Sequence, residues 1–439
     1  MVRMETEREP VRHPIGPGLV YASVGVVLLL WVLASPVSSR IESSAAALKS
    51  LANIAAFSGT ILYAWSVFLS ARLLMFDDWF GGMDKAYKWH HYTGALAFFL
   101  LALHPLFLSF RAASVGRSVS TLWLLGPNWQ INYGIIALYA IALLLPISIF
   151  MRIKYDWFIW MHRIIGGVFF LGFLHAFMAR GNMVRFWPLW LYVFVFSAVA
   201  LGAYVYHSLL GGLLKLKYRY RVASVKALGK DTFEVLLDPA SSRLLPFVAG
   251  QYAYVSFPSH PMGGQAHPFS MAAGPRQRQL RFVIKSLGDY TAHMKEIPVG
   301  TTAWVAGPHG RFNFRRARKY RQVWVAGGIG VTPFLSMAQA LPRRKYHVDF
   351  FYCVVTAGEA HFDTELQDIA RRNPAFKPHL FCQDKEGFID AKILTKTCDV
   401  DTTEFFICGP PPMMHALQRG LVKAGVPESR IHFEDFSLR

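Results

Sequence analysis

Four histidines in two apolar stretches are the residues of this chain best placed to do chemistry. A histidine inside a membrane-length apolar run is costly and rare without a task, yet His90 and His104 share one such run and His162 and His175 share another. Taken singly, each reads as a hydrogen-bonded structural residue. Their joint spacing points to ligands instead. His90 and His104 are 14 residues apart, about 21 Å of rise with a phase error of about 40°, so both rings leave one helix face at two membrane depths. His162 and His175 are 13 residues apart, about 19.5 Å of rise but about 140° out of phase on an ideal helix. A π-bulge or kink around Gly166, Gly167 and Gly172 is therefore expected.

Both runs carry glycine four residues after the first histidine, Gly94 after His90 and Gly166 after His162, where a flat macrocycle can approach the backbone. With both helices running outward, His90 pairs with His162 at the inner depth and His104 with His175 at the outer one. Two bis-histidine haems stacked across the bilayer are the economical reading. His91, 13 residues before His104, is the alternative inner ligand, and the shared glycine spacing favours His90. A zinc or copper site would need clustered ligands rather than ligands three to four turns apart. A proton relay would recruit intramembrane Asp or Glu, which neither run contains.

A second set of candidates lies further along. Gly327-Gly328-Ile329-Gly330-Val331-Thr332-Pro333 follows the apolar run Gln322–Ala326, a strand-to-helix turn whose glycines let the main chain approach a pyrophosphate. It is not a full GxGxxG, and alone it reads equally as a tight turn. His267-Pro268-Phe269-Ser270 after a strand, Gly288-Asp289-Tyr290-Thr291 opening a helix, Gly307-Pro308-His309-Gly310, and Cys408-Gly409-Pro410-Pro411 after the strand Phe405–Cys408 add order and spacing.

The elements that must hold these residues follow from composition. Among 439 residues 53% are hydrophobic, and the mean hydropathy is +0.29, which excludes a disordered or fibrous chain and disfavours a purely soluble one. Residues 1–214 hold 15 Lys/Arg and 8 Asp/Glu, and residues 215–439 hold 31 and 19, so a membrane half precedes a soluble half. Six spans are expected at roughly 18–37, 48–71, 88–110, 131–151, 158–179 and 187–210. The first exceeds a signal-peptide core and Ala34-Ser35-Pro36 is a poor cleavage site, so it is expected to be retained. One set of loops carries Arg3, Arg8, Arg12, Arg72, Lys85, Lys88, Arg152, Lys154, Lys215, Lys217, Arg219 and Arg221, against Arg40, Lys49, Arg111, Arg117, Arg180 and Arg185 on the other side. That asymmetry puts both termini and the soluble half in the cytoplasm, at the plasma or inner membrane.

The net charge of +19 reads as a basic domain beside anionic lipid, not as a nucleic-acid binder. Cys353, Cys382, Cys398 and Cys408 show neither metal-type spacing nor a disulfide framework, as suits a reducing compartment. Short alternating runs at Phe233–Leu237, Tyr252–Phe257 and Leu280–Lys285 suggest a small antiparallel barrel. From Gln322 the order strand, glycine turn, helix, strand suggests a doubly wound nucleotide domain, with the boundary near Phe314–Tyr320. The domains expected are a six-helix haem domain over 1–214, a β-barrel over 215–316 and an α/β domain over 317–439.

In these residues the chain resembles the NADPH oxidase and ferric reductase superfamily over nearly its whole length. The resemblance implies an α-helical six-span membrane domain binding two b-type haems, joined to a ferredoxin-NADP reductase-like module that binds FAD and NADH or NADPH. It makes His267-Pro268-Phe269-Ser270 the flavin motif, with Ser270 bonding the isoalloxazine edge and Phe269 packing on the cofactor. Gly288, Asp289, Tyr290 and Thr291 would hold the FAD pyrophosphate. Gly327, Gly328, Gly330, Thr332 and Pro333 would form the nicotinamide-nucleotide loop, with Cys408, Gly409, Pro410 and Pro411 beside the nicotinamide. Phe436 resembles the aromatic that covers the flavin ring until nicotinamide displaces it.

Two departures qualify the resemblance. Members selecting NADPH often place Arg after the second nucleotide strand, where this chain has Val355, so NADH is a live alternative. Some animal oxidases carry a histidine four residues after the first haem ligand, where this chain has Gly94. The expected activity is electron transfer from cytoplasmic NAD(P)H through FAD and two haems to an acceptor outside, with a ferric chelate preferred over dioxygen. Arg111, Arg180 and Arg185 near that face read as ordinary loop charges before propionate partners. A haem-binding membrane scaffold or proton conductor with a vestigial reductase half, and a quinone-linked cytochrome, are the alternatives. Nothing resembles an EF-hand.

Overall fold

The computed structural model describes residues 14–73, 75–151, 155–178, 186–210, 217–261 and 264–434. They form two compact units, divided between Leu214 and Lys215.

The first unit is helical: α1 (Gly16–Leu33), α2 (Ser44–Ser70), a short α3 (Met75–Phe80), α4 (Met83–Ser114), α5 (Trp129–Phe150), α6 (Tyr155–Met178) and α7 (Trp187–Tyr204). Six of these are long and apolar enough to cross a bilayer, α3 being the exception. Their outward residues include Leu29, Leu96, Phe99, Leu143 and Val199, the apolar surface that lipid would cover. Trp129, Trp157, Trp160 and Trp187 stand exposed near span ends, where amphipathic rings prefer the interface.

Of the six spans α2 is the most buried. It packs along α4 and against α7, while α5 packs along α6. With no hydrophobic gradient between lipid and helix, polar contacts also tie α2 to α1 and α6, and α7 to α1. Trp65 Nε1 donates to Ser23 Oγ at 2.8 Å, the Tyr63 hydroxyl to the Ile165 carbonyl at 2.6 Å, and the Tyr192 hydroxyl to the Ser23 carbonyl at 3.0 Å. Arg40, counted above among loop charges, is instead buried. Its guanidinium bonds the Trp31, Val32 and Ser35 carbonyls at the end of α1 and lies 3.8 Å from the Trp31 ring centre.

α6 corrects one expectation. It is an unbroken α-helix through Gly166, Gly167 and Gly172, with neither π-turn nor break, and both of its histidines nevertheless meet their partners. A π-turn does occur elsewhere, at Val205–Leu209, directly after α7.

The second unit opens with a six-stranded antiparallel sheet, ordered β4-β3-β6-β1-β2-β5. Its strands are β1 (Tyr218–Ala227), β2 (Thr232–Pro239), β3 (Tyr252–Ser256), β4 (His267–Ser270), β5 (Leu280–Lys285) and β6 (Thr302–His309). Tyr220, Val222, Val235, Leu237, Val255 and Phe282 fill its interior. His267–Ser270 is thus itself an edge strand, where the sequence reading put it after one.

A parallel sheet follows, ordered β11-β10-β7-β8-β9, from β7 (Arg321–Gly327), β8 (His347–Val354), β9 (Phe376–Cys382), β10 (Thr403–Cys408) and β11 (Ile431–Glu434). Strands buried on both faces read as continuous apolar runs, and Val323, Trp324, Val325 and Ala326 are all fully buried. The chain winds outward through β8 and β9, then returns beyond β7 to lay down β10. The order therefore reverses between β7 and β10, the crevice where ligands bind in sheets of this type.

Candidate functional site

In the helical unit the predicted histidines meet in pairs. The ring centres of His90 and His162 lie 5.7 Å apart, and those of His104 and His175 lie 6.5 Å apart. Two metal–nitrogen bonds of about 2 Å, plus about 1.1 Å from each nitrogen to its ring centre, place two imidazoles on one iron about 6.2 Å apart. Both pairs fit that span.

The other ring nitrogens decide which atom is free. His90 Nδ1 faces the Ser66 carbonyl at 2.8 Å, His104 Nδ1 the Ala52 carbonyl at 2.9 Å, and His175 Nδ1 the Gln130 carbonyl at 2.7 Å. A carbonyl only accepts, so Nδ1 carries the proton and Nε2 keeps its lone pair for a metal. His162 Nδ1 is buried without a hydrogen-bond partner among the described residues, and its ring stacks on Phe158 at 5.2 Å. His91 neighbours His90 at 5.6 Å but is not the ring that meets His162. Among the described residues no group of three or more His, Cys, Asp or Glu could hold an ion.

The glycines act differently from expectation. A Cβ at Gly94 would stand 3.0 Å from Ser66 Oγ, and one at Gly166 would stand 2.5 Å from the Tyr204 ring. They serve helix packing on α2 and α7, because each turns its missing side chain toward a neighbouring helix. The glycine that borders an imidazole is one the sequence did not single out. A Cβ at Gly134 in α5 would stand 2.8 Å from His175 Nδ1.

In the second unit the turns after β7 and β10 come together at the switch point. A Cβ on Gly330 would fall 2.2 Å from the Cys408 carbonyl oxygen, and one on Gly409 would fall 3.0 Å from Gly327 Cα. Only glycine permits this approach of two main chains. Gly328 adopts φ 52°, a left-handed value. Thr332 closes the turn by donating to the Ile329 carbonyl at 3.1 Å, and Pro333 lies in the first turn of α8 (Thr332–Ala340), its fixed φ suited to that place. Cys408 is buried at the end of β10, and Pro411 begins the helix Pro411–Lys423. The result is a backbone-lined shelf at the amino end of α8, suited to a phosphate.

The barrel supplies the other predicted residues. Phe269 lies on edge strand β4 opposite Ala253, and Ser270, opposite Tyr252, is buried. Thr291 Oγ1 accepts from the Leu287 and Gly288 amides at 2.9 and 3.2 Å, folding Gly288–Thr291 into a tight turn. Nothing stands within 4 Å of a Cβ placed on Gly288, so a bound group has room against that backbone. Asp289 is exposed. Tyr290 is sandwiched between His260 and His267, each ring centre 3.9 Å away. Burial pushes the Tyr290 hydroxyl up to about 12 and the His260 imidazole below its usual value. The sequence reading missed His260, which no local motif marks. Phe436, Arg180 and Arg185 lie outside the described residues.

Barrel and parallel sheet are held together by polar contacts also absent from that reading. Arg281 on β5 donates to Glu234 on β2 at 2.6 Å and to Glu365 at 2.8 Å. The Ser336 hydroxyl donates to the Ala273 carbonyl at 2.7 Å, and Gln339 bonds the Gly274 amide and the Ala272 carbonyl.

Comparison with known proteins agrees with this division. Residues 55–174 match the family described as ferric reductase like transmembrane component, residues 217–318 an FAD-binding domain, and residues 324–419 an oxidoreductase NAD-binding domain. A flavohemoprotein of Xylella fastidiosa is 27% identical over 205 residues, 44% of this chain and 52% of its own. The reductase component of propane 2-monooxygenase from Rhodococcus jostii is 25% identical over 249 residues, 52% of this chain and 66% of its own. The chain thus spans about half to two thirds of these relatives. A flavohemoglobin from Malassezia yamatoensis, solved with bound FAD and heme, shares the fold with a TM-score of 0.51 at 18% identity, covering 90% of this chain and 98% of that one.

Proposed function

From the premise that this chain has the domain architecture of the ferric reductase and NADPH oxidase superfamily, we propose that it is a transmembrane oxidoreductase moving electrons from cytoplasmic NAD(P)H to an acceptor outside the membrane. The observation that carries this reading is the two imidazole pairs, each at the separation of two ligands on one iron, with Nδ1 of three rings turned to main-chain carbonyls. When bound, FAD takes a hydride from the nicotinamide and delivers single electrons to haem iron.

His90 with His162, and His104 with His175, would hold two b-type haems between α4 and α6, one at each level of the two helices. The Ser66, Ala52 and Gln130 carbonyls keep Nε2 of their histidines unprotonated and aimed. Gly327, Gly328, Gly330 and Thr332 would seat the nucleotide phosphates, with Cys408, Gly409, Pro410 and Pro411 limiting the nicotinamide pocket. His267, Pro268, Phe269 and Ser270 would orient the flavin, Gly288, Asp289, Tyr290 and Thr291 its pyrophosphate, and Phe436 would cover its ring.

The Lys and Arg asymmetry supports cytoplasmic termini in an inner or plasma membrane. A ferric chelate is proposed ahead of dioxygen, because Gly94 stands where some animal oxidases carry an additional histidine.

A reduced-minus-oxidised optical spectrum of the purified chain, with haem and flavin stoichiometry, tests the reading. Two low-spin haems and one FAD are expected, and His104→Leu or His175→Leu should leave one haem while flavin reduction survives. A colourless protein after expression with ample porphyrin overturns the proposal. High-turnover cytochrome c reduction sensitive to superoxide dismutase would replace the ferric acceptor with dioxygen.

A further inference from the structure

The segments that leave β8 and β9 beside the nucleotide turn carry carboxylates, Glu359 after β8 and Asp384 and Glu386 after β9. In a parallel sheet of this order the pyrophosphate sits at the turn after the first strand, here β7, and the adenosine ribose lies over the end of its neighbour, here β8. That end reads Val354, Val355, Thr356, then a single turn Ala357–Glu359. Val355 is half exposed and neutral. Thr356 Oγ1 approaches Glu359 Oε1 at 3.5 Å, and both residues face solvent. The exit of β9 is tied to the same place, since the Asp384 amide donates to the Val355 carbonyl at 3.1 Å. The local field is negative. After burial, the charges of Asp363 and Glu359 push the Tyr352 hydroxyl further up, and the charge of Glu386 acts likewise on the Cys353 thiol.

We propose that Glu359 selects NADH over NADPH, its carboxylate accepting from the ribose 2′-hydroxyl of NADH and repelling the 2′-phosphate of NADPH. The matched oxidoreductase NAD-binding domain, residues 324–419, makes a dinucleotide the ligand of this edge, and the inference rests on the NAD(P)H oxidation proposed above. A carboxylate about 5 Å from a phosphate dianion in a water-like medium disfavours it by about tenfold. Lys385, exposed at the exit of β9, is the rival group that would favour the phosphate instead.

The test is anaerobic flavin reduction by each nucleotide in the detergent-solubilised, FAD-loaded full chain, with calorimetric titration of ADP and of its 2′-phosphorylated analogue. The expected result is an NADH preference of about tenfold or more, and ADP bound more tightly than its analogue. Glu359→Gln should bring both ratios toward unity chiefly by improving the phosphorylated ligand. Unchanged ratios in Glu359→Gln overturn the proposal, as does an NADPH preference that Lys385→Gln removes. If neither nucleotide reduces the flavin, the oxidation reading itself falls and takes this selectivity with it.

Discussion

Replacing Gly134 by Ala should weaken one haem site and spare the other. The residue lies in α5 one turn after Gln130, whose carbonyl accepts from His175 Nδ1 at 2.7 Å. An added Cβ would stand 2.8 Å from that nitrogen and 2.9 and 3.0 Å from the ring atoms Cγ and Cδ2. Ordinary contact is about 3.5 Å, so the imidazole must retreat by roughly 0.6 Å, away from its acceptor and out of line with His104. Losing such a supporting contact typically costs about 10- to 100-fold in metal affinity, or about 1.4 to 2.7 kcal/mol. Haem titration of the purified variant should show one site of wild-type affinity and one weakened by that factor, with the reduced-minus-oxidised amplitude falling toward half. Gly94→Ala is the matched control. Its Cβ would meet the Ser66 hydroxyl at 3.0 Å, which donates to the His90 carbonyl and lies 3.1 Å from His90 Nδ1, so an effect confined to the His90 site is expected, smaller because the Ser66 main-chain carbonyl still holds Nδ1. Two undiminished haems in Gly134→Ala, with an unchanged outer midpoint potential, would refute the assignment of His104 and His175 as an iron-spanning pair.

Other perturbations test the second unit. Gly330→Ala drives a methyl to 2.2 Å from the Cys408 carbonyl oxygen, forcing the two turns apart by about 1 Å. Nucleotide-dependent flavin reduction should fall by roughly 100-fold, and retention of wild-type kcat/KM would remove the shelf from the mechanism. Arg281→Met leaves Glu234 and Glu365 facing each other, half buried, without their shared cation. It should destabilise the reductase unit by about 2 kcal/mol, visible as a lower midpoint of its denaturant transition, and an unchanged midpoint would show that the clamp contributes nothing. Because burial holds the His260 imidazole below its usual value, the unfolded chain binds this proton more readily than the folded one. Stability from this group is therefore present above about pH 6.5 and lost as pH falls through the window down to the folded value. His260→Asn should flatten the acid limb of the stability profile, and an identical limb would place the sensitivity elsewhere.

How much of this was legible beforehand differs between the units. Spans read from apolar length come close to the observed helices, as with Gly16–Leu33 and Trp129–Phe150, because the length of an apolar run is fixed by what a helix must cross. The pairing of His90 with His162 was legible from spacing and direction along α4. The route for α6 was not, since ideal phase arithmetic predicted a helical defect where the helix is unbroken and the rings still meet. Gly94 and Gly166 were ascribed to a cofactor because a glycine in sequence shows only that something comes close, not what, and here it is Ser66 and Tyr204. The turns after β7 and β10 were found one by one, but their contact depends on strand order, which no local pattern records.

The least legible features are the acceptors for the imidazole protons. All three are main-chain carbonyls, Ser66 and Ala52 on α2 and Gln130 on α5. A backbone acceptor is present whatever the side chain, so it leaves no residue type to search for. What it demands is helix position: α2 must lie along α4, and α5 along α6, as they do. Each ligand-bearing helix is thus oriented by a neighbour that contributes no ligand. Such a constraint can reach the sequence only as a limit on size where the neighbour passes an imidazole, and Gly134 is that limit for His175. Substitutions that move α2 or α5 without touching a histidine should therefore shift haem affinity and potential, while polar substitutions on their lipid-facing sides, which leave those carbonyls in place, should not.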